Sequence, residues 1–358
     1  MPDPGQSQSS SIPASGTSSM AAPETPQAVV SVRDLSVSYR TNEAPIPAAR
    51  HVSLDLYAGE ILALVGESAS GKSTIGHSIL GLLPGSADVE GSVLFRGRAI
   101  ADLPLEDLRR VRGREISVIF QDALSALTPT MTIGEQMAEP FRVHQGMDRR
   151  RAKDAAREAL RTVLPEVDRV FDSYPFQLSG GMAQRVMIAM ATALEPSVII
   201  ADEPTANLDP AVRQETLERL EELRAGGAAI LVITHDFGVV ARLADRVAVM
   251  YAGAIVEEAD VRTAFRWPKH PYTFGLLRSL PSLAGQERLT PMPGNPPDLA
   301  TLPPECPFLP RCNKAVGRCR VEPAPALLPL DLTAEGADPR AEGQRVACYN
   351  PIAVPLRD

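Results

Sequence analysis

The chain has 358 residues, of which 44% are hydrophobic and 22% charged, with a formal net charge of −8. This length suits two domains with a buried core, and the acidic balance without a Lys/Arg cluster argues against nucleic-acid binding, where phosphate neutralisation would dominate affinity. No apolar run approaches the roughly 20 residues that cross a bilayer, so any membrane role is expected to come through a partner.

Residues 1–28 are rich in Ser, Pro, Gly and Gln and almost devoid of aliphatic side chains. They read as a disordered tail, and they lack the basic start and apolar segment of a signal peptide. Alternating apolar residues predict strands over Val29–Tyr39 and Val52–Tyr57, separated by a proline-containing loop. After a turn at Ala58-Gly59-Glu60, the continuous apolar run Ile61–Val65 predicts a strand buried on both faces. A glycine-rich loop follows, and then a helix over Ser73–Leu83, ended by Pro84-Gly85.

Residues 91–121 read as short strands around a polar helix, Pro104–Val111, and 122–178 as a helical insertion with Ile133–Phe141 and Arg149–Val163 as its periodic segments. Further on, the pattern predicts a helix at Ser179–Leu194, a buried strand at Val198–Ala201, a charged helix at Ala211–Leu223 and a buried strand at Ala228–Thr234. Val247–Tyr251 with Ile255-Val256 reads as a hairpin. From 263 to 358 proline density rises and periodicity fades, which predicts a small loop-rich C-terminal domain behind an α/β domain spanning 29–262.

Two segments carry chemistry by themselves. Gly66-Glu67-Ser68-Ala69-Ser70-Gly71-Lys72-Ser73, continued by Thr74, fits G-x-x-x-x-G-K-[ST] between a strand and a helix. Backbone N–H groups and the helix N-terminus would cradle phosphates, Lys72 would reach the β/γ-phosphates, and the Ser73 hydroxyl would ligate Mg²⁺. Asp202-Glu203 ends the strand Val198–Ala201. In isolation such a pair marks a solvated helix start more often than a site. Its place at the end of a buried strand points instead to Asp202 holding Mg²⁺ and Glu203 polarising water.

The motifs taken together resemble the ABC ATPases. Val198–Thr205 with Ala206-Asn-Leu-Asp209 resembles the Walker B and D-loop pair, Leu178–Gln184 the LSGG signature, Val232–Asp236 the switch strand, and Val118–Asp122 the Q-loop. They stand in that family's order over about residues 30–262. The resemblance implies a P-loop NTPase core, RecA-like with an antiparallel β subdomain and a helical subdomain. It further implies that Ser179, Gly180, Gly181 and Met182 face ATP held by a second subunit, and that Asp209 lies at the dimer contact. His235 would contact the γ-phosphate, Gln121 would sense Mg²⁺ and water, and Glu203 would be the base. A lone His after a strand is more often structural, and an isolated Gln usually means nothing; their positions relative to Asp202 favour function. Tyr39 fits the aromatic that stacks on adenine, with a merely buried strand Tyr as its rival. Met182 departs from the commoner Gln, and a thioether cannot donate a hydrogen bond to ribose.

The tail narrows the branch. His270-Pro-Tyr-Thr273, Leu276–Pro281 and Glu305–Cys312 resemble the C-terminal extension of ATP-binding subunits of peptide and nickel importers, and Gly66-Glu67-Ser68 and Leu124–Thr130 agree. Ala69 for a usual Gly and Ala123 for a usual Pro depart from it. The resemblance implies import of di- or oligopeptides, with a second, related ATP-binding subunit, two membrane permease subunits and an extracytoplasmic solute-binding protein. It places the chain peripherally on the cytoplasmic membrane face. A non-transport ABC ATPase of DNA repair or translation is the alternative; those tend to carry two cassettes, a long coiled coil or basic surfaces, which this chain lacks. All four cysteines, Cys306, Cys312, Cys319 and Cys348, lie in the tail. Four clustered thiols suggest a metal, with a [4Fe–4S] cluster, zinc, and free thiols all open.

Overall fold

The computed structural model describes residues 27–206, 208–280, 291–330 and 343–356. Residues 1–26 of the expected tail and position 281 of the importer-like segment lie outside the described residues.

Strand β1 (Val30–Tyr39) pairs antiparallel with β2 (Ile46–Leu56). Its inward residues Val32 and Leu35 are three apart, which would break alternation. A register shift between them keeps both on the buried face, as a β-bulge does. Strand β2 begins six residues before the expected Val52 and includes Pro47. Proline is tolerated there because β2 is an edge strand, and the missing N–H removes no inner ladder bond.

Next come β3 (Ile61–Val65), every residue of it buried, and α1 (Lys72–Ile79). β4 (Ala87–Phe95) and β5 (Arg98–Ala99) return to complete a four-stranded antiparallel sheet in the order β2-β1-β4-β5. α2 (Leu105–Arg114) leads into β6 (Ile116–Ile119). The helical insertion follows as α3 (Ala123–Ala126), α4 (Ile133–Gln145), α5 (Arg149–Arg161) and α6 (Val167–Phe171). A capping box at Thr132 and Glu135 starts α4, and Asp148 caps α5. Ala152, Ala156 and Leu160, four apart, form the buried stripe of α5 and leave its charges to solvent.

Helix α7 (Gly180–Thr192) closes this layer and leads to β7 (Val198–Asp202), α8 (Pro210–Ala225), β8 (Ala229–Thr234), α9 (Phe237–Leu243), β9 (Arg246–Tyr251) and β10 (Ala254–Asp260). Strands β6, β7, β8, β3 and β9 are parallel neighbours, and β10 pairs antiparallel with β9 as the expected hairpin. The parallel strands read as continuous apolar runs because both faces are covered.

The tail contributes α10 (Val261–Arg266), α11 (Pro271–Arg278), and the short strands β11 (Leu328–Pro329) and β12 (Arg345–Val346). β12 pairs with β10, so the extension lengthens the main sheet to the order β11-β12-β10-β9-β3-β8-β7-β6. Glu257 of β10, fully buried, staples it. Its carboxylate accepts from Lys269 N (2.7 Å), His270 N (2.8 Å) and Gln344 Nε2 (2.7 Å). Burial pushes that carboxyl pKa up, against the pull of these bonds. Among the described residues no helix is long and apolar enough to cross a membrane.

Candidate active site

The parallel strands end in one row, and the phosphate loop, Gln121, Asp202-Glu203 and His235 follow from the C-terminal ends of β3, β6, β7 and β8, where open α/β sheets bind ligands. β3 delivers the phosphate loop. At Gly71 (φ 100°) a Cβ would overlap the Ala48 carbonyl oxygen, so only glycine fits the turn into α1. Ala69 also takes left-handed backbone (φ 62°). There glycine is free of strain and alanine costs about 1 kcal/mol or more. The departure at this position is therefore an energetic one.

Lys72 is 8% exposed, and its ammonium donates to Gly66 O (2.9 Å), Glu67 O (2.8 Å) and Ser70 Oγ (3.4 Å). Burial lowers its pKa, while the Glu203, Asp202 and Glu67 carboxylates oppose that shift. The cation is thus already aimed into the loop. Asp202, at the end of β7, hydrogen-bonds the Ser73 side chain, and burial raises its pKa with Glu203 adding to the rise. Two oxygen donors beside a second carboxylate fit a hard divalent cation such as Mg²⁺.

Glu203 follows with a left-handed backbone (φ 47°) held by its N–H donating to Ile233 O (2.8 Å). A residue held in such a conformation is over-determined by its surroundings, here the end of β8. Its Oε1 meets His235 Nδ1 (2.6 Å) and accepts from His235 N (3.2 Å), and its Oε2 accepts from Thr234 Oγ1 (3.2 Å). Side-chain exposure is 12% for Glu203 and 69% for His235, so the imidazole reaches outward from a sheltered carboxylate. Gln121 is exposed two residues beyond β6, whose Ile119 lies opposite Ala201 of β7. Tyr39, half-buried at the end of β1, shares a hydrogen bond between its hydroxyl and Thr74 Oγ1 (3.2 Å). The phosphate loop, Asp202, Glu203 and His235 are therefore linked by hydrogen bonds and charge, with Tyr39 joined to the loop's helix through Thr74.

The LSGG segment stands apart on the helical layer. Ser179 caps α7, accepting from Met182 N (3.3 Å). A Cβ at Gly181 would press on Val212 Cγ2 (3.2 Å), which explains that glycine within the chain. At Gly180 a Cβ would meet nothing within 4 Å, so no internal contact requires glycine there. Asp209 caps α8 through Ala211 N (3.0 Å) and Val212 N (3.1 Å), beside Gly181. The signature motif by itself assigns Gln184 no role. Buried, it donates to Pro204 O (3.1 Å) and ties the signature helix to the residue after Glu203.

Cys306, Cys312, Cys319 and Cys348 line one cavity of about 20 Å³. That is room for about one water. Burial pushes the thiols of Cys306, Cys312 and Cys348 up, the last to about 12. Among the described residues no three His, Cys, Asp or Glu side chains stand close enough to hold a metal ion. The expectation of iron–sulfur is therefore not supported by this geometry. The zinc alternative loses its basis too, since one ion needs its thiolates on a single centre.

Two tail residues reach the phosphate loop and were missed from sequence. The Tyr272 hydroxyl accepts from Glu67 N (2.9 Å), and Arg311 pairs with the Glu67 carboxylate. The only sequence signal was their presence in importer-like motifs.

The family model described as ABC transporter matches residues 49–206, and that of the oligopeptide/dipeptide transporter C-terminal region matches 256–319. The chain is 43% identical over 298 residues to the oligopeptide transport ATP-binding protein OppD of Haemophilus influenzae, covering 82% of this chain and 92% of that one. It is 46% identical over 302 residues to the dipeptide transport ATP-binding protein DppD of Bacillus subtilis, covering 82% and 90%. Among solved structures, the dimeric post-hydrolysis state of the ATP-binding cassette MJ0796 bound to ADP and Pi matches with a TM-score of 0.59 and 31% identity, over 65% of this chain and 99% of that one. The chain belongs to the ABC transporter ATP-binding proteins, as an ATPase of the branch that carries the oligopeptide/dipeptide transporter C-terminal region.

Proposed function

We propose that this chain is the ATP-hydrolysing subunit that powers uptake of di- or oligopeptides through a membrane permease. The observation that carries the reading is the joined pair of matches, the ABC transporter model over residues 49–206 and the oligopeptide/dipeptide-type extension over 256–319, whose chain goes on to add β12 to the main sheet. In this reading the backbone N–H groups of residues 66–74 and the Lys72 ammonium bind the phosphates of ATP. Ser73 and Asp202 would hold Mg²⁺, which neutralises charge on the β- and γ-phosphates when bound. Glu203 orients and deprotonates the attacking water, and His235, hydrogen-bonded to it, holds that carboxylate in place and contacts the γ-phosphate. Gln121 lies at the entry to the helical layer, where it would report the state of the site. Tyr39 stacks on adenine, a role compatible with its hydroxyl contact to Thr74.

Ser179, Gly180, Gly181 and Met182 would complete the site of a second ATP-binding subunit, with Asp209 at the contact. The absence of any internal need for glycine at 180 supports this, because an external ligand approaching the backbone supplies one. The remaining partners are two permease subunits and an extracytoplasmic solute-binding protein, with this chain peripheral on the cytoplasmic face. The domain limits proposed are 29–262 for the ATPase, with helices over about 122–178, and 263–358 for the extension. A [4Fe–4S] cluster on the four cysteines is supported only by their lining one cavity. Reconstituting the chain with its permease, partner ATPase and solute-binding protein tests the function: ATP-dependent peptide uptake supports it. Peptide-independent ATPase with no uptake of any peptide tried contradicts it.

A further inference from the structure

The second residue of the phosphate loop is a glutamate, and this is chemically awkward. A carboxylate beside bound triphosphate repels it unless another group neutralises the carboxylate. Here every polar group of Glu67 is already engaged. Its carbonyl accepts from Lys72 Nζ (2.8 Å), its N–H donates to the Tyr272 hydroxyl (2.9 Å), and its two carboxylate oxygens take both arms of the Arg311 guanidinium (2.8 and 2.9 Å). Two of these three partners belong to the C-terminal extension, 205 and 244 residues away in sequence.

Arg311 is built to stay where it is. Its side chain is 4% exposed, its Nε donates to Pro293 O (2.9 Å), and the guanidinium lies 5.8 Å from the centroids of both the Tyr251 and Phe308 rings. Tyr272, fully buried, packs against the same two rings, with centroids 4.5 and 5.5 Å apart. A bidentate guanidinium fixes a carboxylate in direction as well as charge, which a lysine ammonium does not. On a second side, Pro296–Leu299 of the extension borders a cavity shared with residues 67–70 of the loop.

We propose that Arg311 and Tyr272 are positioning residues of the nucleotide site. Arg311 neutralises the Glu67 carboxylate and turns it away from the phosphates, and Tyr272 fixes the loop's backbone at the same residue. The extension thereby sets the affinity of the phosphate loop for ATP. This rests on nucleotide binding by the chain and is independent of which solute is transported.

The test is a titration of the full chain with a fluorescent ATP analogue and Mg²⁺, alongside its melting temperature. Arg311→Met keeps the side chain's bulk and removes its charge, leaving Glu67 unpaired. The expected Kd rises about tenfold or more, equivalent to about 1.4 kcal/mol per factor of ten. Arg311→Met combined with Glu67→Gln removes the stranded charge as well and is expected to recover most of that affinity. A role of Arg311 in merely holding the extension predicts no such recovery, because glutamine does not rebuild the ion pair. Tyr272→Phe retains the ring packing, so it serves if the arginine variant does not fold, and a several-fold rise in Kd is expected. Wild-type affinity in folded Arg311→Met or Tyr272→Phe, or a double variant as weak as Arg311→Met alone, overturns the proposal.

Discussion

His270 gives the extension an acid-sensitive latch, and the size of its effect follows from its surroundings. The ring is 2% exposed, packs 5.7 Å from Phe308, and caps α11 by accepting from Tyr272 N at Nδ1 (3.1 Å). Only a neutral imidazole can accept there; protonation would turn an N–H toward an N–H and bury a charge. Burial accordingly lowers its pKa from 6.5 to about 3. A group whose folded pKa lies below its unfolded one binds fewer protons when folded, so its stabilising contribution is present at neutral pH and is lost as pH falls from about 6.5 toward 3. Between pH 7 and pH 5 linkage removes about 2 kcal/mol. Glu257, whose pKa is raised, works in the opposite sense, gaining stability as pH falls.

His270→Asn keeps a good cap and removes the titration, while Glu257 is common to both proteins. Trp267 is the only tryptophan and lies three residues from His270, so its fluorescence in urea reports this junction. The wild type is expected to lose about 2 kcal/mol more than the variant between pH 7 and pH 5. Equal losses in both proteins would refute the assignment of the latch to His270.

Ala69→Gly relieves the left-handed alanine, worth about 1–2 kcal/mol, against about 0.4–1 kcal/mol of unfolded-state entropy. A net gain of about 0.5–1 kcal/mol in urea unfolding is expected, and a loss would contradict the strain argument. If the cysteines hold the proposed cluster, protein purified without oxygen carries about four irons per chain, and Cys306→Ser removes them. Colourless, iron-free wild type prepared that way removes the cluster from the proposal.

What sequence reveals here is what is local. The phosphate loop, the acidic end of β7 and the fully buried parallel strands were legible because each is a contiguous pattern with one physical reading. The start of β2 was hidden because Pro47 normally signals a loop, and only its edge position in the sheet makes it tolerable. The Arg311–Glu67 clamp was invisible for another reason: its partners are 244 residues apart, and neither carries a periodic signature. Prolines and short strands likewise gave no hint that β12 would join the main sheet through β10. The cysteines illustrate the reverse case. Their clustering in sequence suggested a metal centre, but the fold brings them to a cavity with room for about one water.

The most direct test of the catalytic assignment is steady-state ATP turnover and ATP affinity of the assembled transporter with Glu203→Gln in this chain and the partner ATPase silenced. Glutamine keeps the shape of a side chain held by Thr234 and His235 and removes its basicity. Turnover is expected to fall about 10²–10⁴-fold, the usual worth of a general base, with ATP affinity within about threefold of wild type. Turnover within tenfold of wild type would contradict Glu203 as the base and with it the arrangement of this site.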